Sequence, residues 1–151
     1  MKNKGRPMKK SDPPILVEAS FERSATTLWK ALTSLPEMKK WYFDMLPGFE
    51  PRPGFQTSFK VRSEERLFTH QWEVLEVVPG VSITYRWTFE EYPGASTSTF
   101  EVSGDEHRAH LKLTVRVQED FPDELTEFTR ESCKGGWDYF IHGNLKNYLS
   151  V

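Results

Sequence analysis

The chain is poor in cysteine, with Cys133 as the single example among 151 residues. One cysteine cannot form an intramolecular disulfide, so an oxidising compartment would not stabilise the fold. No apolar run approaches the length needed to span a bilayer, and the N-terminus lacks the apolar segment of a signal peptide. Together these features predict a cytoplasmic protein that does not bind membranes.

The chain also has little excess charge, since its formal net charge is -2. This value favours neither nucleic acid nor a membrane surface as a partner. Residues 1–14 are locally basic, with five lysines and arginines against Asp12. Basic arms can bind nucleic acid, but no downstream pattern of interleaved basic and aromatic residues supports that function. We therefore interpret residues 1–14 as a disordered basic tail and residues 15–151 as one domain.

Hydrophobic residues are few, at 37%, but aromatic residues reach 14% of the chain. Each large ring buries a large area, so a sizeable core can still form. Several segments alternate apolar and polar residues with a period of two, which is typical of an antiparallel sheet with one solvated face. These segments are 55–61, 81–89 and 111–117. The alternation is clearest in 81–89, where one side carries Val81, Ile83, Tyr85, Trp87 and Phe89.

The segment 68–78 does not alternate cleanly. Trp72 and Val74 share a side with Glu76, whereas Leu75 and Val77 take the other. A β-bulge would reconcile these two patterns, but periodicity alone leaves the inward face of this strand open. Turn residues at 79–80, 93–94 and 104–105 separate the predicted strands as hairpins require.

Helices are predicted before and after these strands. Ser24 occupies the N-cap position of an apolar helical pattern, and Pro36 opens a second short helix. A long C-terminal helix is predicted over 133–149, with 135–136 (Gly-Gly) as the natural place for a break or for a close backbone approach. Its apolar half comprises Trp137, Phe140, Ile141, Leu145, Tyr148 and Leu149, and Asn144 lies near the centre of that face.

Several short motifs, in this order, resemble those of the activator of Hsp90 ATPase homologue 1-like family. They cover most of residues 15–149. The first are SATTLWKALT at 24–33, KW at 40–41 and RPG at 52–54. The next are EVLEVVP at 73–79, ITYRW at 83–87 and STSTFE at 96–101, and the last are GW at 136–137 and LKNYL at 145–149.

This resemblance implies the α+β helix-grip fold of the START-like (SRPBCC, Bet v 1-like) superfamily. In that fold a curved antiparallel sheet of about six strands surrounds a long C-terminal helix, with two short helices after the first strand. The superfamily's interior cavity often takes an apolar ligand. The family name also implies contact with an Hsp90-type chaperone, and a dimer is a further expectation. The same fold hosts carriers, cyclases and co-chaperones, so the fold does not establish the chemistry.

The spacing of the residues that could carry catalysis or bind a metal does not place their side chains together. Cys133 and His142 are nine positions apart and point to nearly opposite faces of a continuous helix, which excludes a nucleophile–base dyad. His107 and His110 flank a predicted turn with opposite strand parity, so they would diverge rather than chelate. Paired carboxylates occur at predicted strand ends, where charge is normally solvated. We therefore predict no metal, no cofactor and no catalytic residues.

Asn144 is the polar exception on the apolar face of the last helix. A buried amide without a hydrogen bond costs about 1–3 kcal/mol. Its partner could be a group on the sheet or a buried water, or it could orient a ligand held between helix and sheet. The predicted ligand-binding residues are Trp41, Tyr85, Trp87, Phe100, Trp137, Ile141 and Asn144.

The leading functional prediction is a domain that binds an apolar small molecule. One alternative is a co-chaperone-like module that contacts an Hsp90-type ATPase. A second alternative is a cyclase-like or hydrolytic enzyme, which the lack of a catalytic constellation disfavours.

Overall fold

Six strands form one antiparallel sheet, and helices pack on it. The computed structural model describes residues 6–150. The order across the sheet is β1-β6-β5-β4-β3-β2. The strands are β1 (Ile15–Phe21), β2 (Gln56–Ser63), β3 (Arg66–Val78), β4 (Ser82–Phe89), β5 (Tyr92–Gly104) and β6 (Ala109–Glu119).

Two short helices, α1 (Ala25–Thr33) and α2 (Leu35–Trp41), follow β1. A 3₁₀ turn, Thr126–Phe128, precedes the C-terminal helix. That helix has three consecutive segments, α3 (Arg130–Trp137), a π-helical segment (Asp138–Leu145) and α4 (Lys146–Leu149). The predicted α+β helix-grip fold is confirmed. Within residues 6–150 the structure contains no helix with the length and apolar character of a membrane span.

The inward faces of the strands follow the predicted alternation. On β1 and β6 every second residue from Ile15 and from Ala109 is buried, as far as Phe21 and Val115. The open question about β3 is resolved by a bulge, because its register with β4 shifts between Val74 and Glu76. Trp72 and Val74 are therefore buried on one side of the bulge, Leu75 is exposed, and Val77 packs against the core on the other side.

The two short helices begin where the capping residues indicate. The Ser24 hydroxyl accepts a hydrogen bond from the backbone N–H of Thr27 at 3.0 Å, and Pro36 lies in the first turn of α2. The indole N–H of Trp41 donates to the carbonyl of Ala31 at 2.8 Å. This bond joins α1 to α2 and holds the Trp41 ring in the core.

The C-terminal helix buries residues at every fourth position: Trp137, Ile141, Leu145 and Leu149. An α-helix has 3.6 residues per turn, so a four-residue spacing drifts around its axis. The π-helical segment has more residues per turn and offsets this drift, which keeps the four side chains on one side. The expected break at 135–136 does not occur. Both glycines are exposed within continuous α3, and the irregularity follows them.

Residues 6–14, which belong to the predicted basic tail, contact the domain in the structure. Pro7 forms a β-bridge with Thr129, and the Met8 carbonyl accepts a bond from the backbone N–H of Phe121 at 3.1 Å. Met8 is buried against the phenylalanines of a small cluster. Burial of this apolar side chain stabilises the contact, and the basic composition of the segment does not reveal it. Residues 1–5 of the predicted tail lie outside the described residues.

The β4–β5 hairpin also differs from the prediction. Its turn lies at 90–91 rather than 93–94, and Gly94 is part of β5. Gly94 has a φ of +115°, and a Cβ atom at this position would collide with the ring of Phe121. Glycine is therefore required here for close packing as well as for backbone conformation.

Candidate functional site

A cavity of about 380 Å³ lies between the sheet and the C-terminal helix. Its position follows from two small side chains on the inward face of β5, Ser96 and Ser98. In the sheet register Ser98 lies between Tyr85 and Val115. Large residues flank both serines, so the short side chains leave space that neighbouring strands do not fill. Further along the same face, Phe100 fills the corresponding space and the core is solid.

The walls of the cavity are mainly aromatic. Rings from the sheet face rings from the C-terminal helix, and a cluster around Phe128 and Met8 closes one end. Such a surface suits an apolar molecule with flat faces, because ring–ring contacts add to the burial of apolar area. The aromatic lining consists of Phe43, Phe68, Trp87, Phe89, Phe121, Phe128, Trp137 and Phe140.

His70 is the imidazole of the cavity wall, and its ring is held by its neighbours. The indole N–H of Trp87 donates to its Nδ1 at 3.0 Å. The ring stacks on Phe59, with centroids 4.9 Å apart and planes at 15°, and meets Phe89 edge-on. Burial lowers the pKa of His70 to about 4, although the carboxylate of Glu91 acts in the opposite direction. His70 is therefore neutral at pH 7.

The remaining polar groups of the cavity differ in how well they are satisfied. The hydroxyl of Ser98 is buried and has no hydrogen-bond partner within residues 6–150. Glu127 at the mouth is paired with Arg66 at 3.2 Å and accepts a bond from Ser63 at 3.0 Å. Burial alone would raise the pKa of Glu127, but hydrogen bonds from its own backbone, Arg66 and Ser63 hold it below the usual value. Ser98 is thus the unsatisfied polar group at the floor.

Cys133 lines the cavity, but its chemistry is that of a structural thiol. Burial raises the pKa of Cys133 to about 11, so the nucleophilic thiolate is scarce at pH 7. His142 is exposed on another face of the helix, where its ring bonds to Asp138 and to the carbonyl of Glu18. The two residues do not meet, as their spacing predicts.

The other histidines also lie apart from the cavity. His110 contacts Ser20 at 3.0 Å and Glu18 at 2.7 Å on the outer face, and His107 lies in the β5–β6 turn. In the part of the chain that the structure describes, no three His, Cys, Asp or Glu side chains form a group suited to a metal ion.

Of the seven predicted ligand-binding residues, Trp87 and Trp137 line the cavity. Four others, Trp41, Tyr85, Phe100 and Ile141, are buried in the adjacent core. The Tyr85 hydroxyl is hydrogen-bonded to that of Tyr42 at 2.9 Å rather than directed to an open space.

Asn144 has a protein partner, although not one of the partners that the sequence suggested for it. Its side-chain amide donates to the carbonyl of Trp41 at 3.1 Å. The partner belongs to α2, whereas the sequence suggested a group on the sheet. The bond ties the C-terminal helix to the end of α2.

His70, Ser96 and Ser98 are cavity residues that the sequence analysis did not select. The signal for His70 was its shared parity with Trp72 and Val74, which places it on the inward face of β3. The signal for the two serines was their spacing of two and four residues from Phe100, which places all three side chains on the same inward face of β5. Two small side chains followed by a large one on the inward face of a strand indicate that the core is not filled beside the small ones.

Comparison with known proteins gives a family match over most of the chain. The model of a family described as Activator of Hsp90 ATPase homolog 1-like protein matches residues 22–150. Among curated proteins, none matches the chain.

Several solved structures share the fold. Protein CV1439 from Chromobacterium violaceum has a TM-score of 0.73 and 18% identity, with 92% of this chain and 98% of that chain covered. The Aha1 dimer from Colwellia psychrerythraea has a TM-score of 0.71 and 18% identity, with coverages of 91% and 96%.

DynU16, from the dynemicin biosynthetic locus, has a TM-score of 0.71 and 22% identity. The match covers 93% of this chain and 48% of DynU16, so the chain spans about half the length of that protein. At these identities the similarities establish the fold and nothing finer.

Proposed function

The chain belongs to the Activator of Hsp90 ATPase homolog 1-like family, and from this premise we propose that it binds an apolar small molecule between its sheet and its C-terminal helix. The observation that carries the proposal is the aromatic cavity of about 380 Å³. This volume lies within the range of small-molecule sites, which are mostly apolar and contain few polar groups. Solid packing would stabilise the domain better than an unfilled apolar cavity, so the presence of this cavity favours a binding role.

The electrostatics of the cavity support binding rather than acid–base catalysis. A general base works best with a pKa near the working pH, whereas His70 has a pKa of about 4. The thiol of Cys133 is protonated at neutral pH. Neither of these two groups therefore has a proton affinity suited to general acid–base catalysis at pH 7.

Contact with an Hsp90-type chaperone stays a prediction from the family resemblance. The Aha1 neighbour was solved as a dimer, and self-association of this chain is likewise a proposal. A cytoplasmic location remains a prediction based on the lone cysteine. Chaperone contact is tested by a pull-down with an Hsp90-type chaperone and by a measurement of the chaperone's ATPase rate.

Thermal shift and tryptophan fluorescence test the binding proposal directly, because Trp87 and Trp137 line the cavity. A panel of tricyclic hydrocarbons and long-chain alcohols provides the probes. A probe at a hundred times its Kd stabilises the fold by about 2.7 kcal/mol. This corresponds to a rise in Tm of roughly 5–10 °C for a chain of this size.

A cavity-filling variant localises the binding. Ser98→Leu places a larger apolar side chain on the floor of the cavity and should abolish the probe-induced shift. Ser103→Leu is the matched control, since Ser103 is exposed on the same strand. Near-UV circular dichroism verifies that both variants fold. Unchanged binding by folded Ser98→Leu would contradict the proposed site.

A further inference from the structure

The tautomer of His70 follows from its hydrogen bond. An indole N–H is only a donor, so the Nδ1 atom that accepts from Trp87 carries no proton. In a neutral imidazole the proton is then on Nε2. The rings of Phe59 and Phe89 hold the imidazole in this position. His70 consequently presents a fixed N–H donor on the wall of the cavity.

This donor has no acceptor in the structure. Within residues 6–150 the Nε2 atom of His70 makes no hydrogen bond, and its Nδ1 atom is engaged with Trp87. The Nε2 atom is not among the fully buried unpartnered atoms of the described residues, so this donor is open to a ligand or to water. The hydroxyl of Ser98, on the floor of the same cavity, is also unpartnered and able to donate. The unsatisfied groups of the cavity therefore match an acceptor on the ligand.

The charges around the cavity favour a neutral ligand. Among residues 6–150, Glu127 is the one lining residue with a formal charge, and Arg66 already neutralises it. An anion would lose its hydration against aromatic walls without meeting a free cation among the lining residues. A cation would face the N–H of His70, whose dipole repels positive charge. A neutral acceptor avoids both costs.

We propose that the ligand is a neutral aromatic molecule with a hydrogen-bond acceptor, such as a ring carbonyl, which receives the Nε2–H of His70. This inference rests on the proposed function and adds the chemical class of the ligand. The aromatic walls account for the flat hydrocarbon part of the molecule. His70 accounts for the position of its oxygen.

A matched series on one ring system tests the inference. Fluorene, 9-fluorenone, fluorene-9-carboxylate and 9-aminofluorene share a tricyclic skeleton and differ at one carbon. At pH 7 they present no polar group, a carbonyl acceptor, an anion and a cation. Their Kd values are measured by quenching of tryptophan fluorescence and corrected for transfer from water to octanol. We expect corrected binding of fluorenone to be roughly five- to tenfold tighter than that of fluorene, the gain of one hydrogen bond. The two charged members should bind weakest.

Two variants separate the donor from the shape of the site. His70→Leu removes the donor and should abolish the preference for fluorenone. His70→Gln is the conservative variant, because its amide oxygen can accept from Trp87 while its NH₂ donates to the ligand. This variant should retain most of the preference. The carbonyl stretching frequency of bound fluorenone gives a second readout, since it falls when the oxygen accepts a hydrogen bond.

NMR of the unaltered protein avoids any dependence on the folding of the variants. The ¹⁵N and ¹H shifts of His70 Nε2–H should move on addition of fluorenone and stay nearly constant with fluorene. Equal corrected affinities for the two probes, or a preference that survives in folded His70→Leu, would overturn the ligand class and leave the binding site intact. Failure of all four probes to bind would instead remove the proposed function, and the ligand class with it.

Discussion

The neutral state of His70 makes the stability of the fold depend on pH. Its pKa is about 4 in the folded chain, mainly because of burial, against an ordinary value of 6.5. The folded pKa is depressed, so below pH 6.5 the unfolded chain takes up a proton that the folded chain does not. The stabilising effect of neutral His70 is therefore complete above pH 6.5 and is lost as the pH falls toward 4.

The expected magnitude follows from the two pKa values. Between pH 7.5 and pH 5 the contribution of His70 to the free energy of unfolding should fall by about 2 kcal/mol. His70→Gln is the control because it removes this titration and keeps a polar side chain. The other histidines, His107, His110 and His142, are present in both proteins, so their effects cancel in the difference.

Urea denaturation at four pH values, followed by tryptophan fluorescence, measures this difference. With a slope of roughly 2 kcal/mol per molar urea, the gap between the midpoints of the two proteins should change by about 1 M between pH 7.5 and pH 5. Work above pH 5 leaves most carboxylates ionised. Parallel midpoints across this range would refute the assignment of His70 as a buried neutral group.

Three further predictions concern other parts of the fold. Gly94→Ala should lower the free energy of unfolding by about 2 kcal/mol, because φ is positive and the new Cβ meets Phe121. Gly135→Ala, in an exposed helical position with open space around it, should instead be neutral or stabilising by about 0.5–1 kcal/mol. Urea denaturation that gives both glycine variants the same free energy of unfolding would contradict this account. Asn144→Leu should cost about 1 kcal/mol through its lost bond to Trp41 and leave probe affinity unchanged. A change in affinity would return Asn144 to the ligand site. Cys133 should react with a disulfide reagent at pH 8 roughly a hundredfold more slowly in the folded chain than in urea; equal rates would mean that the thiol is accessible.

Much of the fold could be predicted because local patterns report it. Alternation in 81–89 and 111–117 identified the inward faces of two strands, which the structure confirms from Ile83 and from Leu111 onward, whereas Val81 is exposed in the preceding turn. The apolar half of the last helix likewise contains Trp137 and Ile141, both buried. Ser24 and Pro36 marked where two helices begin because capping depends on neighbouring residues alone.

The candidate site was predicted in part. The inward face and apolar character selected Trp87 and Trp137, which line the cavity, and also Phe100 and Ile141, which lie in the core beside it. That any of these residues binds a ligand stays a prediction. Parity states which face a side chain occupies. It does not state whether the opposite layer touches that side chain.

The sequence by itself determined the class of fold, the family and the aromatic character of the interior, since these depend on periodicity, caps and composition. The tertiary structure alone decided where the interior is empty and which polar groups remain unsatisfied there. His70 is held by Trp87 from the next strand, and Met8 closes the cavity from the opposite end of the chain. Such contacts depend on strand register and on the distance between layers, which join residues far apart in sequence and leave no local pattern.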